Sequence, residues 1–387
     1  MASIYKNEKA KSNPYWFQIM VDGKRVTKRG FRTKGDAKKA MDEIATKLNK
    51  GEYVKESSMT YAEYFTSWLD LKNEVADSTR EMYESYFRIH IEPFLGKYLL
   101  SNLGPLHIQK FIKHIKDKGL SDQTVKRVYS VVNASLNAAV RMEILTKNVA
   151  DKVDKPKVKR TERLIWSEQS IKEFLERSRG QSRYWIAIFL AVMTGMRQGE
   201  ILGLMWSDID FDKRIIYVRR NLRKDRNTYS ELKTEKSRRQ IHISPDTTEM
   251  LKEQRYKQEI EKKYAILKGT PYDDNGLVVA TQKGTPAKST KVLKAWKTLC
   301  HKYKPAHEPD MTFHDLRHLH ASILVNDNHD IVSISQRLGH SNVTTTLNTY
   351  SHTMVKKQEA AAVALDKIFD FGFRKSDKAS QKHEKDN

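Results

Sequence analysis

A single cysteine among 387 residues leaves no partner for an intrachain disulfide and no ligand set for a cysteine-rich zinc module. A reducing compartment fits that usage, and Cys300 is expected to pack on a helix. Long apolar runs are missing as well. The start of the chain has no apolar signal core, and the best uninterrupted run, Trp185–Met193, is too short to span a bilayer. That run reads as a buried helix, and no membrane partner is expected. Acid is scarce relative to base: 48 Asp and Glu face 71 Lys and Arg, a net charge of +23. Such an excess favours a polyanionic partner through phosphate contact and counterion release. The excess is also uneven, with 14 Lys and Arg against 7 acids in residues 1–58, and 11 against 3 in 213–239. The length allows two or three domains with real cores.

The opening segment, residues 1–55, reads as a small sheet plus a helix. Trp16–Val21 has strand-forming residues, Asp22-Gly23 is a hairpin signal, and Lys24–Arg29 returns. Phe31 is assigned to a third strand. Thr33 can cap a helix from about Gly35 to Asn49, with Gly51 just past its end. Lys24, Arg25, Lys28, Arg29 and Arg32 line the hairpin, and a basic β-ribbon can enter a major groove.

Residues 59–150 read as all-helical. Thr60 caps a first helix, Ser78 or Thr79 opens a second with Tyr83, Phe87 and Ile91 at helical spacing, and Gly104-Pro105 precedes a third. A fourth starts at Ser121-Asp122, with Val125, Val128, Val132, Leu136 and Val140 as its apolar stripe. Lys126 and Arg127 lie off that stripe, free to face DNA. Residues 151–163 are charged, carry Pro156 and have no apolar period, which is the pattern of a linker. From Trp166 the chain is mostly helical with one sheet excursion at Ile215–Val218 and Gln240–Ile243. Helices are predicted at Asp246–Lys268, Lys288–Lys302, 315–326, 330–337 and Lys356–Phe369. Residues 374–387 are a polar tail, expected to be disordered. The fold class is therefore mainly α with small β-sheets, a multidomain α+β chain.

The chemistry sits in four short segments. Thr194-Gly195-Met196-Arg197 follows the buried helix, so Arg197 lies at a helix junction, with Glu200 one turn on. Leu232-Lys233-Thr234 lies in the basic connection between strands. His314-Asp315-Leu316-Arg317 sets an imidazole and a guanidinium three apart on one helical face. Leu338-Gly339-His340-Ser341 ends one helix and caps the next, and Tyr350 follows ten residues after His340. Two guanidiniums can clamp a phosphate, imidazoles and an ammonium can donate protons, and a phenol can act as nucleophile. A rival reading takes His314, His318 and His320 as metal ligands. It lacks the glutamate of a zinc-protease helix and an obvious carboxylate ligand nearby.

Arg197, Lys233, His314-x-x-Arg317, His340 and Tyr350 together resemble the catalytic signature of the tyrosine recombinase, or phage-type integrase, family. The match spans roughly 165–355. Residues 1–55 resemble, more loosely, the family's arm-type DNA-binding domain and 59–150 its helical core-site binding domain; 164–373 would be the catalytic domain. The arm-like segment points to the temperate-phage or integrative-element branch. The resemblance implies that Tyr350 attacks the scissile phosphate to leave a 3′-phosphotyrosine and a free 5′-hydroxyl. Arg197 and Arg317 would bind the non-bridging oxygens, Lys233 would protonate the leaving oxygen, His314 and His340 would handle protons, and Glu200 would orient the site. It implies no metal or ATP, because the phosphotyrosyl bond conserves the energy. It also implies double-stranded attachment-site DNA of core and arm types, a homotetramer on that DNA and a cytoplasmic, nucleoid-associated place in a bacterial host. A host DNA-bending protein and an excision factor are further partners it leaves open.

Several alternatives stand beside this. Lys236, Arg238 and Arg239 crowd Lys233, although the Leu-Lys-Thr setting favours Lys233. Val149 stands after Asn148 where the family often has proline. The apolar residues Val363, Leu365, Ile368 and Phe369 can dock on a neighbouring protomer or cover their own domain. Type IB topoisomerase-like relaxation shares the same chemistry, and a non-catalytic DNA-binding regulator shares the scaffold.

Overall fold

The structure is a computed structural model that describes residues 3–10, 12–21, 24–49, 58–72, 75–158, 164–222, 229–231, 238–340, 342–344 and 347. The chain divides into two compact units, residues 1–161 and 162–387. Lys233, Tyr350, the 356–369 helix and the polar tail lie outside the described residues, as does the hairpin turn at Asp22-Gly23.

In the first unit, strands β1 (Ser3–Lys6), β2 (Tyr15–Val21) and β3 (Lys24–Phe31) form an antiparallel sheet in that order. Helix α1 (Lys34–Asn49) packs on one face, where Phe17, Ile19, Val21 and Ala37 are buried. The alternation of β2 explains this, since every second side chain faces the helix. Thr33 caps α1 by accepting from the Asp36 amide at 3.0 Å. The expectation of a third strand at Phe31 is corrected. Phe31 ends β3 opposite Tyr15, and the third strand is β1 on the far edge of β2. The reason is a bulge: Trp16 pairs with Arg29 and Tyr15 with Phe31, so Gly30 is the extra residue, at φ +91°. Only glycine adopts that conformation without strain, and it lets β3 run past the kink.

The helical part contains α2 (Tyr61–Asp70), α3 (Asp77–Tyr86), α4 (Glu92–Leu95), α5 (Pro105–Asp117) and α6 (Asp122–Arg141). A wide π turn, Phe87–Ile91, joins α3 to α4 and keeps Phe87 and Ile91 inward. Thr60 and Glu63 close a reciprocal capping box on α2. Neither Ser78 nor Thr79 opens α3: it begins at Asp77 after Ala76, with no side-chain cap. Asp77 in the first turn meets the positive end of the helix dipole instead. The stripe of α6 is buried as its spacing predicts, except Val140, which is half-buried. Asn148 donates to Asn133 and Asn137, both at 2.8 Å, and accepts from the Ala150 amide, which ties the chain after α6 back to that helix.

The second unit is built round α8 (Trp185–Thr194), nearly every residue of which is buried. Around it lie α7 (Glu168–Ser178), α9 (Gln198–Leu202), α10 (Pro245–Leu267), α11 (Ser289–Tyr303), α12 (Asp315–Asn326) and α13 (Ile331–Leu338). Strands β4 (Ile209–Asp210), β5 (Ile215–Val218) and β8 (Arg239–His242) form one antiparallel sheet. Strands β6 (Arg220–Leu222) and β7 (Tyr229–Glu231) form a separate pair. Trp166, Phe174 and Trp296 pack edge-on or tilted with centroids 5.2–5.7 Å apart and seat α7 against α11. Cys300 lies on α11, where burial pushes its thiol up to about 12, so it packs rather than reacts.

Phe174 is fully buried between the two tryptophans. Phe174→Ala is expected to cost about 3–5 kcal/mol. Urea unfolding followed by tryptophan fluorescence would show it; a loss below about 1 kcal/mol would mean the cluster is not core.

Candidate active site

The site grows from two helix ends. Helix α8 stops at Gly195 in the left-handed region, φ +65°, and a Cβ there would lie 2.6 Å from His320 Cδ2 and 2.7 Å from Leu338 Cδ2. Glycine is required both by conformation and by space. Helix α13 stops in the same way at Gly339, φ +68°, and the His340 amide returns to the Ser335 carbonyl at 3.1 Å. Arg317, on α12 and only 4% exposed, spans these two ends. Its Nη1 donates to the Gly195 carbonyl at 2.7 Å and its Nη2 to the Leu338 carbonyl at 2.6 Å. A cation at two helix C-termini meets the negative ends of both dipoles.

Arg197 follows immediately at the N-cap of α9. Glu200, one turn on, accepts from the Arg197 amide at 2.9 Å and from its Nη1 at 2.8 Å, as the three-residue spacing predicts. Arg197 Nη2 reaches the Gly339 carbonyl at 3.2 Å, next to the carbonyl held by Arg317. The Arg197 side chain stays 40% exposed, so its guanidinium borders solvent while its base is tied down.

Arg239 completes the cluster. Its side chain is 6% exposed, and its Nη2 and Nη1 meet the Glu200 carboxylate at 2.8 and 3.2 Å. Its Nε donates to the Arg337 carbonyl at 2.6 Å. Sequence reasoning treated Arg239 only as one cation crowding Lys233. The available signal was strand alternation, which sets Arg239 on the inward side of β8 with buried Ile241. Arg337 is not singled out by the sequence, and His320 enters there only in the rival metal reading. His320 is buried, its Nδ1 bonds the Val192 carbonyl at 2.7 Å, and its Nε2 accepts from Arg337 Nε at 3.1 Å. Arg337 also donates to the His242 and Met193 carbonyls, linking β8, α8 and α13.

Glu200 is 2% exposed. Burial alone would raise its pKa, but the Arg239 guanidinium first, then Arg197, hold it below the ordinary carboxylate value. Among the described residues, three guanidiniums meet one carboxylate in this cluster, a surplus of two positive charges. His340 feels this surplus. Burial, then Arg317, Arg197, His318 and Arg239, push it down to about 4, so it is neutral at pH 7. The pocket is thus poised for an anion, and a phosphodiester oxygen suits the fork geometry of arginine.

The other expected residues fall in different places. His314 is exposed at the start of α12 with its ring 5.3 Å from His318, whereas Arg317 is buried, so the two do not share one environment. His320 turns inward, away from that surface setting. Among the described residues no group of three His, Cys, Asp or Glu is placed to hold a metal ion. In the first sheet the five cations divide. Arg25 and Arg29 pair with Met20 and Trp16 on the open face, where Tyr5 stacks on Trp16 at 4.3 Å and Arg29 lies 5.6 Å from the Trp16 ring. Lys28 pairs with Phe17 on the helix-facing side, Lys24 opens β3 opposite Val21, and Arg32 is exposed just beyond β3. Lys126 and Arg127 are exposed on α6. No helix of the described residues is long and apolar enough to cross a membrane.

Histidine NMR on the free chain is expected to find His340 titrating near 4, and orthovanadate in the pocket should raise it by offsetting the arginine charges. A value near 6.5 in the free chain would contradict both the burial of the ring and the positive charge around it. His320 is also held near 4, by burial and then by Arg337. Both rings bind protons more readily when unfolded, so stability is full above about 6.5 and falls as pH drops towards 4. Thermal melts across that window should show the decline, and it should lessen in His320→Gln.

Comparison with known proteins gives one answer for each of three segments of the chain. The family model described as Phage integrase family matches residues 167–357. That described as Phage integrase, N-terminal SAM-like domain, matches 60–116, and Arm DNA-binding domain matches 3–48. A tyrosine recombinase XerC-like protein of Caldanaerobacter subterraneus is 29% identical over 373 residues, covering 90% of this chain and 93% of its own. The ICEBs1 integrase of Bacillus subtilis is 27% identical, over 72% of this chain and 75% of its own. Among solved structures, the Tn1549 transposon integrase in complex with transposon right end DNA superposes with a TM-score of 0.66 at 23% identity, covering 79% of this chain and all of that one. A lambda integrase tetramer bound to a Holliday junction gives 0.57 at 18%, over 89% and 94%. With its fold, its arginine cluster and three consecutive family matches in agreement, the chain belongs to the phage integrase family, the tyrosine-type site-specific DNA recombinases.

Proposed function

We propose that this protein integrates and excises a mobile DNA element by cutting and rejoining attachment sites through a 3′-phosphotyrosine intermediate. The observation that carries this reading is the pocket's surplus of two positive charges, held rigid by two helix ends. A partly exposed Arg197 bonds the Gly339 carbonyl next to a neutral His340, and its Nη1 is held by the buried Glu200 carboxylate.

In this reading the Tyr350 hydroxyl oxygen attacks phosphorus and the bond to the 5′-oxygen breaks, with Lys233 supplying its proton. Arg197 and Arg317 hold the non-bridging oxygens as negative charge builds in the transition state. A neutral His340 gains a proton-handling role once phosphate offsets the neighbouring guanidiniums. His314 assists from the surface beside His318, and Glu200 orients Arg197. A 5′-hydroxyl from the exchange partner then reverses the step, so neither metal nor ATP takes part. The open sheet face with Arg25, Arg29 and Trp16 serves arm-type sites, joined by Lys24, Lys28 and Arg32. Exposed Lys126 and Arg127 serve core sites. Four copies act together on paired DNA in the cytoplasm of a bacterial host, on the nucleoid, with a bending protein and an excision factor as candidate accessories.

Nicked suicide DNA carrying the element's attachment core tests this. Wild type should form a covalent adduct in EDTA, and Tyr350→Phe should bind the same DNA without forming one. Binding without an adduct by wild type would favour a non-catalytic regulator. Arg197→Ala should slow adduct formation by about a hundredfold to a thousandfold, the usual loss of one transition-state donor. Affinity should fall steeply with salt, by about 0.9 log units per decade for each phosphate contact. A flat response would contradict the basic surfaces.

A further inference from the structure

We propose that Arg239 is a positioning residue for DNA cleavage, acting on Arg197 through the shared carboxylate of Glu200 and on the His340 turn through the carbonyl of Arg337. This role rests on the cleavage chemistry of the preceding section. Its basis is the division of one guanidinium between two partners. Both terminal nitrogens lie on Glu200, and Nε lies on the backbone of the last turn of α13. Glu200 also receives the amide and Nη1 of Arg197, so the carboxylate is a bridge between two arginines. A buried carboxylate left with one half-exposed partner would lose most of its hold on position and charge. Gly339 is part of the same arrangement. A Cβ on it would lie 3.0 Å from Arg239 Cδ and Nη1, so the turn before His340 packs directly on this side chain.

The placement along the chain adds a third consequence. Arg239 opens β8, two residues after the stretch 232–237 that contains Lys233. Pairing of β8 with β5, Val218 against Arg239, anchors the strand from the other side. A single side chain therefore links the strand that follows the candidate acid, the carboxylate that holds Arg197, and the turn that presents His340. Lysine cannot do the same, because one ammonium lacks the planar fork that meets carboxylate and carbonyl together.

The test uses the full chain and single-turnover cleavage of nicked suicide DNA, with wild type, Arg239→Gln, Arg239→Lys, Glu200→Gln and the Glu200→Gln/Arg239→Gln double variant. Affinity for the same DNA and its salt slope are measured in parallel. Arg239→Gln should cleave about a hundredfold more slowly, the loss a small misplacement of catalytic groups produces, with DNA affinity and salt slope unchanged. Arg239→Lys, which keeps the charge in the fold, should fall between it and wild type. The double variant should be no slower than the slower single variant, because both act through one bridge. Losses that multiply in the double variant, or a rate that falls only in step with DNA binding, would overturn the role. So would wild-type cleavage by folded Arg239→Lys and Arg239→Gln. If wild type itself forms no adduct on DNA it binds, the cleavage reading fails first and takes this role with it.

Discussion

A guanidinium buried between the C-terminal ends of two helices is the constraint on which the rest of the site depends. Arg317 joins the carbonyl at the end of α8 to the carbonyl at the end of α13, elements far apart in sequence. Each helix stops at a glycine in the left-handed region, which leaves its last carbonyls free for an outside donor. The arginine satisfies groups that would be costly to bury alone, and they in turn fix its plane. Arg197 on one side and His340 on the other are positioned by the same two chain reversals.

Burying this much positive charge needs a counterweight, and among the described residues Glu200 is the acid that meets Arg197 and Arg239. Its carboxylate gathers four donors from Arg197 and Arg239 and stays ionised despite burial. It leaves part of the charge unbalanced, which adds to burial in keeping His340 neutral. A phosphodiester monoanion beside these guanidiniums would offset one of the two surplus charges. Among the described residues the arginines are thus tied to fixed backbone and carboxylate partners, the kind of arrangement in which charges stabilise a transition state with little reorganisation.

Much of the fold was legible because its patterns are local. The hydrophobic run at 185–193 became α8, Thr60 and Ser121 cap the helices they precede, and Ile215–Val218 is β5. Glu200 was placed by its spacing from Arg197. Misreadings arose where geometry overrode pattern. The third strand of the first sheet lies before β2 rather than at Phe31, because a four-residue edge strand has no periodicity to detect and a glycine bulge lengthened β3. Ala76 starts α3 without a capping side chain. His314 and Arg317 share a helical spacing but not an environment, since one lies before the helix at the surface and the other is interior.

By itself the sequence determined which chemistry the protein carries: the residue types, their order and the short segments that hold them are local properties. The position of Arg317 across two helix ends, the burial of Arg239 on Glu200 and the inward turn of His320 were decided by tertiary structure alone. Each joins residues on different elements, from 17 to 128 apart in sequence. Buried polar groups must find partners wherever the fold brings them, and no periodicity along the chain encodes that meeting.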